Sequence, residues 1–197
     1  MDRELAWSIV TKHVQNVGLR RHMLCVESAM RWYARQLDEE EDVWGASGLL
    51  HDFDWEVHPS LEDHPRLGAE ILREHSVPDT IIQAILSHNT AGTGIQRSRP
   101  IDFALLACDE ITGLITATAL VRPSKDIRDV KVKSVKKKWK DRAFAAGVDR
   151  DHVVAVAEDF SQHCYAGKLE MWTHIGNVLE AMQETAAALD LDGRLAS

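Results

Sequence analysis

Between residues 22 and 109 the chain carries side chains of the types that hold divalent metals: His22, the adjacent His51 and Asp52, His64, His88 and Asp109. Each falls in an otherwise apolar pattern. His51-Asp52 ends the run Gly48-Leu49-Leu50. Burying a carboxylate without a partner costs several kcal/mol, on the order of a domain's net stability. A metal ion answers that cost economically, because it accepts an imidazole and a carboxylate together. Taken alone, His51-Asp52 reads as a solvated polar pair at a helix end, and each other histidine as a satisfied core residue. The same placement repeated on several helices argues for a shared site. Six ligands exceed what one catalytic ion needs. Two ions bridged by one carboxylate would use all of them and leave room for water.

The elements that must position these groups are helical almost throughout. Leu5, Ile9 and Val10 recur at helical spacing over 2–14, and Gly18 is expected to break that run. A helix over about 19–37 carries the stripe Leu19, Met23, Val26, Met30, Tyr33 and Leu37, with His22 on its inner side. The acids from Asp38 to Asp42 suit a helix entry. Val43, Ala46, Leu49 and Leu50 then lead to His51-Asp52. Phe53 to Pro59 reads as a loop. A helix opening at Ser60 or Leu61 would put His64, Leu67, Gly68, Ile71 and Leu72 on one face. Pro78-Asp79 starts a helix whose stripe is Ile81, Ile85 and His88. Asn89 to Arg99 reads as a loop, and Pro100 opens a long apolar helix over 101–120 that buries Asp109.

Residues 126–140 form a basic segment with an apolar stripe of Val132, Val135 and Trp139, expected to be helical. Two further helices are expected, about 150–164 and 168–189. The fold class is therefore all-α, a compact bundle of roughly seven to ten helices. With 197 residues and no repeat or dividing linker, one domain over 1–197 is expected, its metal-bearing core at about 18–120 and packing helices at about 126–189. The last two helices would pack on that core or form a homodimer contact.

The net charge of −8 argues against general nucleic-acid binding. Cys25, Cys108 and Cys164 are odd in number and far apart, which suggests a reducing compartment without a disulfide framework. The N-terminus lacks a signal-peptide pattern, and no apolar run is expected to reach the roughly 20 residues of a membrane span. A soluble cytoplasmic protein is the expectation.

His22, the His51-Asp52 doublet after Leu49-Leu50, and Asp109 followed by Glu110, in that order on helices, resemble the HD superfamily of metal-dependent phosphohydrolases. The resemblance covers roughly residues 18–120. His64 and His88 extend it to the six-ligand, binuclear form. The stretch from His64 to Ala69 is similar to small bacterial HD proteins that hydrolyse dinucleoside polyphosphates. With Ala107 to Leu114 and the Lys-rich segment included, the chain looks like small HD hydrolases. The resemblance implies that His22, His51, Asp52 and Asp109 hold one metal, and that His64 and His88 hold a second with Asp52 bridging. It implies two divalent ions, with Fe, Mn, Zn, Ni, Co and Mg undistinguished. Many members continue the doublet with Ile-Gly-Lys. Here Phe53-Asp54-Trp55 follows, so a lysine is missing and an acid replaces the glycine.

The expected chemistry is hydrolysis of a phosphate ester or anhydride of a nucleotide or similar small molecule, with His51 and Asp52 as the catalytic pair activating a metal-bound water. Arg122, Lys125, Lys133 and Lys137 would bind the phosphate, although a solvated lysine face is the plainer reading of the last two. Asp54 would orient a water or leaving group, or cap its loop. Two alternatives share the ligand set: an HD-type mixed-valence di-iron oxygenase, and a metal-stabilised binding or sensor domain without turnover.

Overall fold

The computed structural model describes residues 1–196. Ten α-helices make up the fold, and there is no strand among the described residues. They are α1 (Arg3–His13), α2 (Val17–Leu37), α3 (Glu41–Leu50), α4 (Arg66–Glu74), α5 (Asp79–His88), α6 (Thr90–Thr93), α7 (Pro100–Leu120), α8 (Val132–Trp139), α9 (Arg150–Tyr165) and α10 (Met171–Glu184). The all-α class expected from periodicity is the one observed.

The chain divides into two compact units, Met1–Leu106 and Ala107–Ser197. In the first, Ile9 and Val10 of α1, Met23 of α2, Leu49 and Leu50 of α3, Leu72 of α4 and Ile81 and Ile85 of α5 share one buried cluster with Phe53. Apolar residues three and four apart give each helix a single inward face, so burial of these stripes fixes which side of every helix turns to the core. An ion-paired clamp joins α1 to α2. Glu27 is buried and accepts from Arg3 Nε at 2.7 Å and Nη2 at 2.8 Å, and from Arg31 Nε at 3.0 Å.

In the second unit, α8 packs on α10, where Val132 meets Gly176 and Val135 is fully buried. The lysines of α8 are left on the outer side. Lys136 lies over the Trp172 ring, 4.9 Å from its centroid, and Trp139 meets Trp172 edge-on. Gln183 of α10 donates to the carbonyls of Ile127 and Val130 at 3.0 and 2.9 Å, tying down the short 3-10 turn Ile127–Asp129. The Arg150 guanidinium donates to four carbonyls, those of Asp141, Phe144, Ala145 and Val148, and so organises the turn that precedes α9.

Several boundaries differ from the sequence expectation. Gly18 does not break a helix. The break lies at Val14–Asn16, and Asn16 caps α2 by accepting from the amides of Gly18 and Leu19. A side chain that satisfies two free N–H groups outweighs the low helix propensity of one glycine in the first turn. No helix opens at Ser60 or Leu61. Residues 60–65 are turns and α4 starts at Arg66, after a cis His64–Pro65 peptide. The stretch from Asn89 to Arg99 contains the short helix α6, capped by the Asn89 side chain on Gly92 N. The expectation that no run is long enough to span a membrane is also corrected. By length and composition α7 passes that test, and 67% of its apolar window is buried within the protein, as in a core helix.

Candidate metal centre

Leu49 and Leu50 are fully buried, so the end of α3 is drawn into the core and carries the next residues with it. His51 is the C-cap of α3 and is itself fully buried. The partner helix α2 approaches α3 where Gly48 presents no side chain. A Cβ there would lie 2.9 Å from backbone atoms of Val26 and Glu27. That close approach brings His22 of α2 to His51, with their Nε2 atoms 3.2 Å apart.

A second pair forms from the other side. His88 is the last residue of α5, and His64 stands on the turn before α4. Asn89 holds that turn, donating to the carbonyls of His64 at 2.7 Å and Leu61 at 2.8 Å. The Nε2 atoms of His64 and His88 are 3.0 Å apart.

Asp52 lies between the pairs. Its Oδ2 is 3.5 Å from His51 Nε2 and 3.8 Å from His22 Nε2. Its Oδ1 is 3.3 Å from His64 Nε2 and 3.8 Å from His88 Nε2. One oxygen therefore faces each pair, and the ligand atoms fall into two groups that share Asp52: His22, His51 and Asp52, and Asp52, His64 and His88. Ligand bonds of about 2.0–2.2 Å place neighbouring donors roughly 3–3.5 Å apart around one ion. Imidazole nitrogen with carboxylate oxygen suits zinc, manganese or iron.

The ring hydrogen bonds test whether a cation fits. His51 Nδ1 donates to the Gly48 carbonyl at 2.8 Å, His88 Nδ1 donates to the Ile85 carbonyl, and His64 Nδ1 donates to Asp54 Oδ1 at 2.8 Å. A neutral imidazole that donates from Nδ1 has only a lone pair at Nε2. The lone pairs of His64 and His88 thus point at each other, and they are compatible only with positive charge between them. The electrostatics agree. Burial alone would push the His64 imidazole down, but hydrogen bonds and charge from Asp52 and Asp54 override it and raise its pKa to about 9. The two carboxylates draw a positive charge to this position.

The centre has a wet and a dry side. His51 and His64 are buried, while the side chains of Asp52 and His22 are 19% and 24% exposed. Trp55 meets the His64 ring edge-on, with centroids 4.9 Å apart.

The structure thus brings His22, His51, Asp52, His64 and His88 together in the first unit. Of the remaining sequence candidates, Asp54 belongs to the same unit and the others to the second. Asp54 is fully buried, with its oxygens on His64 Nδ1 and on Gly68 N at 3.1 Å. In the second unit, Asp109 is half-buried on α7, and Arg122 has a buried Nε with no hydrogen-bond partner. Lys125 Nζ donates to the Leu195 carbonyl at 2.7 Å, and Lys133 and Lys137 are exposed on α8. Sequence reasoning passed over Asn89, which holds the His64 turn, and the tie between Asp54 and Gly68. The adjacency of Asn89 to His88 was the one available signal for the first.

No curated protein and no solved structure matches the chain. The family model described as HD domain matches residues 19–117. That stretch contains both ligand groups and the helix ends that carry them, and the chain accordingly belongs to the HD domain family.

Proposed function

We propose that the protein is a metal-dependent phosphohydrolase with two divalent ions, cleaving a phosphate ester or anhydride of a nucleotide or similar small molecule. One observation carries this reading: Asp52 turns one oxygen to each of two imidazole pairs. Membership of the HD domain family, typically metal-dependent phosphohydrolases, supports it. Divalent ions held by these groups would lower the pKa of a water and offset charge on a phosphoryl group.

The chain's own residues do the rest. The Nδ1 donations of His51, His64 and His88 lock their tautomers, so each Nε2 lone pair stays aimed inward. Asp52 contributes the negative charge shared by both groups. The buried rings of His51 and His64 keep water from the inner side, and the exposed edge at Asp52 and His22 is the side open to substrate.

The test is a panel of nucleotides and phosphate esters, assayed with manganese, zinc, cobalt or iron, in air and under anaerobic conditions. Phosphate or nucleotide release with metal, unchanged without oxygen and abolished by a chelator, is expected. Turnover that requires oxygen, or bound metal with no turnover of any ester, would overturn it.

A further inference from the structure

We infer that Asp54 is a positioning residue, which fixes the tautomer and orientation of His64 and strengthens its hold on a metal shared with Asp52 and His88. The inference rests on the two-ion reading above and adds what holds one of the ligands in place.

The outer ring nitrogens of His51, His64 and His88 are not held alike. His51 and His88 donate to carbonyls three residues earlier, Gly48 and Ile85, supplied by the end of their own helices. His64 sits on a turn and has no helix end behind it. Its Nδ1 donates instead to a carboxylate ten residues upstream, at 2.8 Å. A carboxylate acceptor raises the basicity of an imidazole more than a neutral carbonyl does, and so strengthens its bond to a metal.

Asp54 is built into this role. It is fully buried, and both oxygens are used, Oδ1 on His64 and Oδ2 on the Gly68 amide at 3.1 Å. It is therefore directed at His64 and not at a substrate. Gly68 provides the room: a Cβ there would overlap Asp54 Cγ and Oδ2. The amide of Gly68 and its missing side chain serve the same carboxylate. The glycine is thus required by Asp54 and not by α4, where alanine would be the better helix former.

The test is cobalt binding to the full chain, followed by calorimetry and by the metal content after dialysis. Wild type is expected to take two ions. Asp54→Asn keeps the volume and an acceptor oxygen but loses the charge, and it is expected to weaken one ion about 10–100-fold and leave the other unchanged. Gly68→Ala, which displaces the carboxylate from the other side, is expected to weaken the same ion. A merely structural role would move both ions or neither.

Wild type also tests the inference without any variant. Histidine-selective 15N spectra of the zinc-loaded protein, and of metal-free protein at alkaline pH, are expected to show His64 as the Nδ1–H tautomer with a strongly hydrogen-bonded proton. Two ions of unchanged affinity in both variants, or His64 in the Nε2–H tautomer, would overturn it. Fewer than two ions in wild type would instead overturn the two-ion reading, and the His64 tautomer would still decide the positioning role.

Discussion

Asp52 is the residue on which both ligand groups depend, because each uses one of its oxygens. Asp52→Ala is expected to lower bound metal below one ion per chain and kcat/KM by at least about 10³-fold, the scale of several kcal/mol of lost charge stabilisation. Metal analysis and steady-state kinetics check this together. The His51-Asp52 doublet stood out in the sequence because an acid at the end of an apolar run is costly. Asp54 was legible as an oddity but not in its role. Its partner is His64, and nothing local in the chain says that a turn ten residues later folds back to meet it.

At the scale of elements, the centre is the meeting of helix ends. The α2–α3 contact sets the His22–His51 pair, and it depends on Gly48. Gly48→Ala is expected to destabilise the fold by about 1–3 kcal/mol, because a methyl must be fitted against the backbone of α2. It should also weaken metal binding by separating His22 from His51. Urea denaturation and metal titration of one variant read both effects. The helices were largely legible, since 3.6-residue periodicity is a local property of the chain. Their ends were less so. Asn16 capping moved the start of α2, and the turns over 60–65 kept His64 off any helix. Caps and turns depend on a few side-chain hydrogen bonds that periodicity does not encode.

For the whole molecule, candidate ligands gathered from α2, the end of α3, a turn and the end of α5 would couple metal binding to folding. Metal at 100 times its dissociation constant should stabilise the native state by about 2.7 kcal/mol. This would be seen as a rise in melting temperature that a chelator reverses and that Asp52→Ala lacks. The second unit carries its own pH dependence. His174 is fully buried, donates from Nε2 to the Ala107 carbonyl at 3.0 Å, and is pushed by burial down to about 4. Its folded value lies below the unfolded value of about 6.5, so the unfolded chain binds the extra proton. The contribution is complete above about pH 6.5 and is lost as pH falls toward 4, by up to about 3 kcal/mol. Denaturant unfolding at pH 7 and pH 4.5 should show this loss, and His174→Gln should remove the part due to this ring.

The all-α class, the register of the inward stripes and the ligand types could all be read from the chain, because each follows from the order of apolar and polar residues along it. The resemblance to HD proteins was legible for the same reason: it rests on residue types in order. Which oxygen of Asp52 faces which imidazole pair, and which acceptor holds each ring, came only from the tertiary structure. The pairings His22–His51, His64–His88 and His64–Asp54 behind them join residues 10 to 29 positions apart and exist only once the helices have packed. The His51-Asp52 doublet is a sequence signal, and the packing of its neighbours sets two groups of candidate metal ligands on either side of Asp52.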